Sequence, residues 1–265
     1  MIRRMSLFSI TYIWFLVLII LPVAGIVAGA LQHGVSSFTK ELAAPEALFS
    51  LKLTAEITLC TVSLNTIAGV LVALHIARKG VGWKVFNVIV DLPFAVSPVI
   101  AGLALVLMYG PNTFVGGVLQ HANIKFIFAM PGMVAATLFV TFPFVVRELV
   151  PHLMQIGIGE EEAAFTLGAG PWVTFWKVTF PEIKWSVMYG VMLTISRSLG
   201  EFGAVLVVSG SVIMVTQSAT LYVYQATADN QMAAAYAVSL VLAAGSFVTL
   251  ILLQLTKRKQ GSDSR

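Results

Sequence analysis

Arg197 and Glu201 carry opposite charges four residues apart in an otherwise apolar stretch that also contains Ser196, Ser198, Gly200, Gly203 and Ala204. At helical spacing the two charged side chains share a face and can pair. Ionisable groups inside an apolar span are costly, and they face a bundle interior or an aqueous path. The pair therefore reads either as a clasp between helices or as part of a route for an anion. In a route, Glu201 would weaken the hold of Arg197, because an ion bound too tightly does not leave. The hydroxyls of Ser97, Ser196 and Ser198 are candidate donors along the same path, and they suit a dianion without the deep well of several cations. The small residues around the pair permit close helix approach. Glu56 and Asp91 also fall in apolar segments, but near the segment starts, where an interfacial role competes with a functional one.

Nothing in the chain forms a catalytic constellation. No H-E-x-x-H occurs, and His33, His75, His121 and His152 are too dispersed for metal-ligand spacing. No glycine sits in the G-x-x-x-x-G-K-[ST] pattern that cradles phosphate, so ATP chemistry must come from another polypeptide. We expect no catalytic residue, no metal and no cofactor in this chain.

The elements that position these residues are membrane spans. Of 265 residues, 58% are hydrophobic and only 11% charged, with a mean hydropathy of +0.92; soluble domains are about one quarter charged. The net charge of +4 fits basic loops beside anionic lipid better than nucleic-acid binding. Cys60 stands alone, so no intrachain disulfide forms. The first apolar run, 10–31, exceeds the ~7–15 apolar residues of a signal peptide and should remain as a span. Further spans are expected near 53–77, 85–109, 126–146, 185–208 and 232–255. The third is the least regular, because Pro93 and Pro98 remove backbone donors and kink or unwind a helix. No period-2 pattern and no linker appear. The expectation is an all-α polytopic membrane protein of six helices, with residues 1–265 as a single transmembrane domain.

Basic residues set the orientation. The N-terminus, the 78–84 loop, the 147–184 loop and the C-terminal tail hold two, three, three and four Lys or Arg, whereas the opposite loops hold Lys40, Lys52 and Lys125. By the positive-inside rule both termini face the cytoplasm. So does the polar stretch 159–183. There Glu160, Glu161 and Glu162 oppose the positive end of a helix dipole, and Ala163, Ala164, Phe165 and Leu167 continue as helix formers. Gly168 and Gly170 punctuate, Pro171 opens a second short helix, and Trp172, Phe175, Trp176 and Val178 give it an apolar face. Two short helices with a sticky surface are expected outside the membrane.

Glu162-Ala163-Ala164, Gly168, Val178 and Phe180-Pro181 resemble the EAA loop of ABC-importer membrane subunits. That resemblance implies a helix that docks on a cytoplasmic ATPase, with Glu161, Glu162, Ala163, Ala164, Gly168 and Pro181 in the coupling segment. The tracts 91–98, 141–151 and 196–205 are similar to those of sulfate/thiosulfate ABC-importer permeases, and most similar to the W-type subunit, from about residue 50 to 255. The resemblance implies a T-type permease partner, two ATPase subunits that bind ATP and Mg, an extracytoplasmic sulfate-binding protein, and a bacterial inner-membrane location. Phe180 departs from the usual leucine. The stretch 212–217 departs from a charged or glycine-rich turn, which bears on substrate choice or partner fit. A molybdate or tungstate permease is the alternative substrate reading. A secondary anion transporter would instead show inverted repeats, which are not evident, and would have no use for the 159–183 loop.

Overall fold

The computed structural model describes residues 11–32 and 34–263, so Arg3, Arg4, Ile10 and His33 lie outside the described residues. Among those residues every regular element is helical. In chain order they are α1 (Thr11–Leu31), α2 (Gly34–Leu42), α3 (Pro45–Ala77), α4 (Trp83–Ala95), α5 (Pro98–Tyr109) and α6 (Phe114–His121). Then follow α7 (Met130–Ile156), α8 (Gly159–Thr166), α9 (Pro171–Leu199), α10 (Gly203–Ser209), α11 (Ala219–Ala228) and α12 (Met232–Asp263). Four helices, α1, α3, α7 and α12, are long and apolar enough to span a membrane alone. The pairs α4–α5 and α9–α10 are bent by 110° and 58°, and counting each as one broken span gives six.

Proline and glycine chemistry accounts for both breaks. Pro98 disfavours helical backbone in the residue before it, and Val96 and Ser97 are extended, with ψ of 131° and 137°. The expected irregularity of the third span is thus a sharp turn at 96–97. In the other pair α9 stops at Leu199, and Gly200, Glu201 and Phe202 carry non-helical backbone before α10 begins. The expected single fifth span, 185–208, is broken here.

The core is built where α3, α7 and α9 converge. At the end nearest α8, Val70, Ala73 and Leu74 of α3 pack with Val145, Val146 and Leu149 of α7 and with Ile183 and Val187 of α9. Glycines allow this approach. A Cβ on Gly69 would lie 2.8 Å from the Val145 side chain, and one on Gly190 would lie 3.0 Å from Val145 Cα. Toward the other end, Leu53 and Ile57 of α3 meet Met133, Val205 and Leu221. A buried polar stripe, Ser50, Thr54, Thr58, Thr61 and Asn65, runs along α3 at helical spacing. Asn65 Nδ2 donates to Thr141 Oγ1 of α7 (2.7 Å), and Thr54 Oγ1 accepts from the Ala219 N–H (2.8 Å). On α11, burial raises the Tyr222 phenol above its ordinary pKa, helped by the charges of Glu46 and Glu41.

Two other expectations are revised. The second short helix of the 159–183 stretch is not separate. From Pro171 it passes through a π-helical stretch, Phe175–Thr179, straight into the span helix Phe180–Leu199. Arg147, counted with the following loop, lies inside α7, which continues to Ile156.

Candidate functional site

The two helix breaks meet. A Cβ on Gly203, at the start of α10, would lie 3.2 Å from Pro98 Cβ, and one on Gly102 of α5 would lie 2.6 Å from the Ala204 carbonyl oxygen. Small residues bring two interrupted backbones together in the interior, where irregular backbone must be satisfied by protein or by a water-filled cavity. Ser97, exposed, belongs to the first break; Arg197 lies just before the second, and Glu201 within it.

Glu201 satisfies that break. Its side chain is buried, and its Oε1 accepts from the Ala204 N–H (3.0 Å), one of the otherwise orphaned donors in the first turn of α10. Its Oε2 lies 2.7 Å from Arg197 Nη1, yet it accepts no hydrogen bond of good geometry. The contact is therefore an ion pair rather than an aligned bond. The Glu201 carbonyl accepts from Thr220 Oγ1 (2.7 Å), which ties the break to α11. Arg197 keeps 34% of its side chain exposed, so the pair is closed on the carboxylate side and open on the cationic side.

The three consecutive candidates of α9 point in different directions, as the roughly 100° step per helical residue requires. Ser196 Oγ is bonded to Thr249 Oγ1 of α12, Arg197 is partly exposed, and Ser198 is buried with no partner for its Oγ. Arg197 and Glu201 are brought together, whereas Ser196 and Ser198 lie on opposite sides of them.

A second ion pair, between two helices and partly exposed, was missed from sequence. Arg147 of α7 donates from Nε to Asp91 Oδ1 (2.6 Å) and from Nη2 to Asp91 Oδ2, forming a bidentate fork onto α4. Its Nη1 also donates to Asn87 Oδ1 (2.8 Å), and Nη2 to the Asn87 carbonyl (2.7 Å). Four bonds engage one guanidinium, a geometry that lysine cannot reproduce. The available signal was a carboxylate and a guanidinium, both adjoining apolar runs, with no other partner in view. Glu56 is half-exposed and faces Lys52 one turn away at 3.7 Å.

The 159–183 stretch begins with α8 and ends inside α9, where Thr174, Thr179 and Ile183 are already buried. Gly157 (φ +77°) and Gly168 (φ +85°) adopt the left-handed backbone that favours glycine, and they end α7 and α8 respectively. Glu160, Glu162 and Ala163 are exposed on α8, Ala164 is half-buried, and Pro181 is exposed in the first turn of the span helix. Glu161 turns inward. Its Oε1 accepts from Thr179 Oγ1 (2.6 Å) and pairs with Arg78, which follows α3. Outside, Phe165, Leu167, Trp172, Val173 and Trp176 are all exposed. Exposed apolar residues are thus clustered beside acidic ones at this end of the chain's helices.

The model of the family described as "Binding-protein-dependent transport system inner membrane component" matches residues 65–261. The sulfate transport system permease protein CysW of Synechococcus elongatus is 45% identical over 262 residues, 98% of this chain and 92% of that protein. CysW of Escherichia coli is 40% identical over 249 residues, 90% of this chain and 86% of that protein. Among solved structures, a bacterial alginate ABC transporter in complex with its pentasaccharide-bound periplasmic protein superposes with a TM-score of 0.76. That likeness covers 96% of this chain and 92% of the other, at 19% identity, and it shows the shared fold. The chain thus belongs to the family of binding-protein-dependent transport system inner membrane components, the permease subunits of ABC importers.

Proposed function

We propose that this chain is the W-type membrane subunit of an ATP-driven sulfate/thiosulfate importer in a bacterial inner membrane, with both termini cytoplasmic. The observation that carries the substrate is the likeness to sulfate permeases over nearly the whole length of both chains. The chain forms the translocation path with a T-type permease. Two ATPase subunits hold ATP and Mg, and an extracytoplasmic binding protein delivers sulfate.

ATP-driven closure of the ATPase dimer carries α8 with it. The apolar surface of Phe165, Leu167, Trp172 and Trp176 supports a docking role for this end of the bundle, together with the exposed Glu162. Because Pro171–Leu199 is continuous, a displacement at the dock is delivered along α9 to the break that holds Arg197 and Glu201. There the partly exposed guanidinium, neutralised by a buried carboxylate, offers a dianion one weak cationic contact. Ser97 lies in the adjoining break, and its hydroxyl is a further donor on the path.

The test is radiolabelled sulfate uptake in cells lacking this chain, with and without its return, competed by thiosulfate, molybdate or tungstate. Uptake lost with the chain, restored with it and blocked by thiosulfate is the expected result. Unchanged sulfate uptake with molybdate accumulation lost would overturn the substrate.

A further inference from the structure

Glu160, Glu161 and Glu162 form an acidic run at the start of α8, and three successive helical residues cannot all face one partner. Glu160 and Glu162 are exposed, whereas Glu161 keeps only 12% of its side chain accessible. Among the described residues, the ion pair and the side-chain hydrogen bonds that join α8 to other elements all run through Glu161. One reaches Arg78, the residue that closes α3. The other reaches Thr179, in the π-helical stretch at the base of α9.

Two further features give this arrangement a mechanical character. Gly157 and Gly168 place left-handed joints on either side of α8, so its covalent connections are compliant. Beside it, a pocket of about 250 Å³ that opens to solvent, lined by Ala77, Arg78, Lys79, Leu153, Gly157 and Glu161, lies between α8 and the end of α3. With compliant joints and a solvent-open pocket between them, a displacement of α8 reaches α3 chiefly through the carboxylate.

We propose that Glu161 is a positioning residue that transmits movement of α8 into both α3 and α9, and that it does not itself dock on the ATPase. This rests on the importer reading above and deepens it. Docking belongs to the exposed face of α8 and the start of α9, and transmission to the Arg78–Glu161–Thr179 link. Without the link, α8 still binds its partner but turns on its glycine joints, so α3 no longer follows the movement that α9 receives at its own start. ATP is then hydrolysed without matching transport.

The experiment uses the full complex in proteoliposomes, carrying the native chain, Glu161→Gln, Arg78→Gln or the double variant. Glu161→Gln removes the charge while keeping an acceptor for Thr179. Two quantities are read, ATPase co-purified per permease and sulfate moved per ATP hydrolysed. Each link variant is expected to retain its ATPase while transport per ATP falls roughly five- to tenfold. The double variant should be no worse than either single change, because both break one interaction. If Arg78→Gln is not recovered from membranes, Thr179→Val severs the other bond and is read in the same way. Loss of the ATPase from Glu161→Gln would overturn the proposal by making Glu161 a docking residue, and so would native transport per ATP in that variant. A native chain that retains no ATPase would instead overturn the importer reading on which the proposal stands.

Discussion

Arg197 Nη1 lies 2.7 Å from Glu201 Oε2, although the helix that carries Arg197 ends at Leu199 and Glu201 belongs to the break beyond it. The pair is therefore more than two neighbours on one helical face. The carboxylate uses one oxygen to cap α10 and the other to balance a cation, so a single residue holds the break closed and sets the charge beside it.

Glu201→Ala should remove both functions and leave Arg197 unpaired. A destabilisation of about 2–4 kcal/mol is expected, toward the lower end because water reaches the guanidinium. Glu201→Gln keeps an oxygen for the Ala204 N–H and should recover part of the loss. Thermal unfolding of the purified complex in detergent checks the order native, Gln, Ala. Equal stability of all three would remove Glu201 from this role.

The Asp91–Arg147 fork joins α4 to α7 just before the break at 96–97. Asp91 is half-exposed, so screening moderates the pair, and a coupling energy of about 1 kcal/mol is expected from a double-mutant cycle of Asp91→Asn and Arg147→Gln. Arg147→Lys should behave more like the Gln variant than like the native chain, since lysine lacks the fork. Additive effects in the cycle would show that the contact carries no stability.

Close approach at the breaks can be tested by volume. Gly102→Val places side-chain atoms against the Ala204 backbone, where a Cβ alone would come within 2.6 Å of the carbonyl oxygen. Overpacking of this kind costs about 1–3 kcal/mol. The expected result is a lower unfolding temperature together with reduced sulfate uptake. A fully active and stable Gly102→Val chain would mean that the breaks need not meet.

Trp172 and Leu167 are exposed, so truncating them should leave the stability of the chain within about 0.5 kcal/mol of native. If they anchor the ATPase, Trp172→Ala should weaken its binding by at least about 2 kcal/mol, roughly thirtyfold. Co-purification at graded salt and detergent measures this. Retention equal to that of the native chain would move the dock elsewhere.

The helical architecture was legible because a membrane span is a composition signal, and apolar runs such as 53–77 and 232–255 state it directly. The broken third span was legible too, since Pro98 constrains Ser97 whatever surrounds it. The interruption after Leu199 was not. Apolar periodicity continues across Gly200, and only the three-dimensional capping of Ala204 by Glu201 reveals that the helix has stopped. Arg147 was read as loop because its charge marks the end of an apolar run, yet a charge paired within the protein can stay inside a helix. The sticky face at Trp172 and Trp176 was visible in the spacing. The inward turn of Glu161 was not, because its partners Arg78 and Thr179 are contributed by distant elements.

The most direct measurement of the central claim is sulfate accumulation by proteoliposomes that contain this chain, its partner permease and the ATPase, with binding protein outside and ATP inside. Accumulation that requires both ATP and the binding protein, and persists when ion gradients are collapsed, is what an ATP-driven importer predicts. Sulfate movement that follows an ion gradient and ignores ATP would contradict it and make the chain a secondary anion transporter.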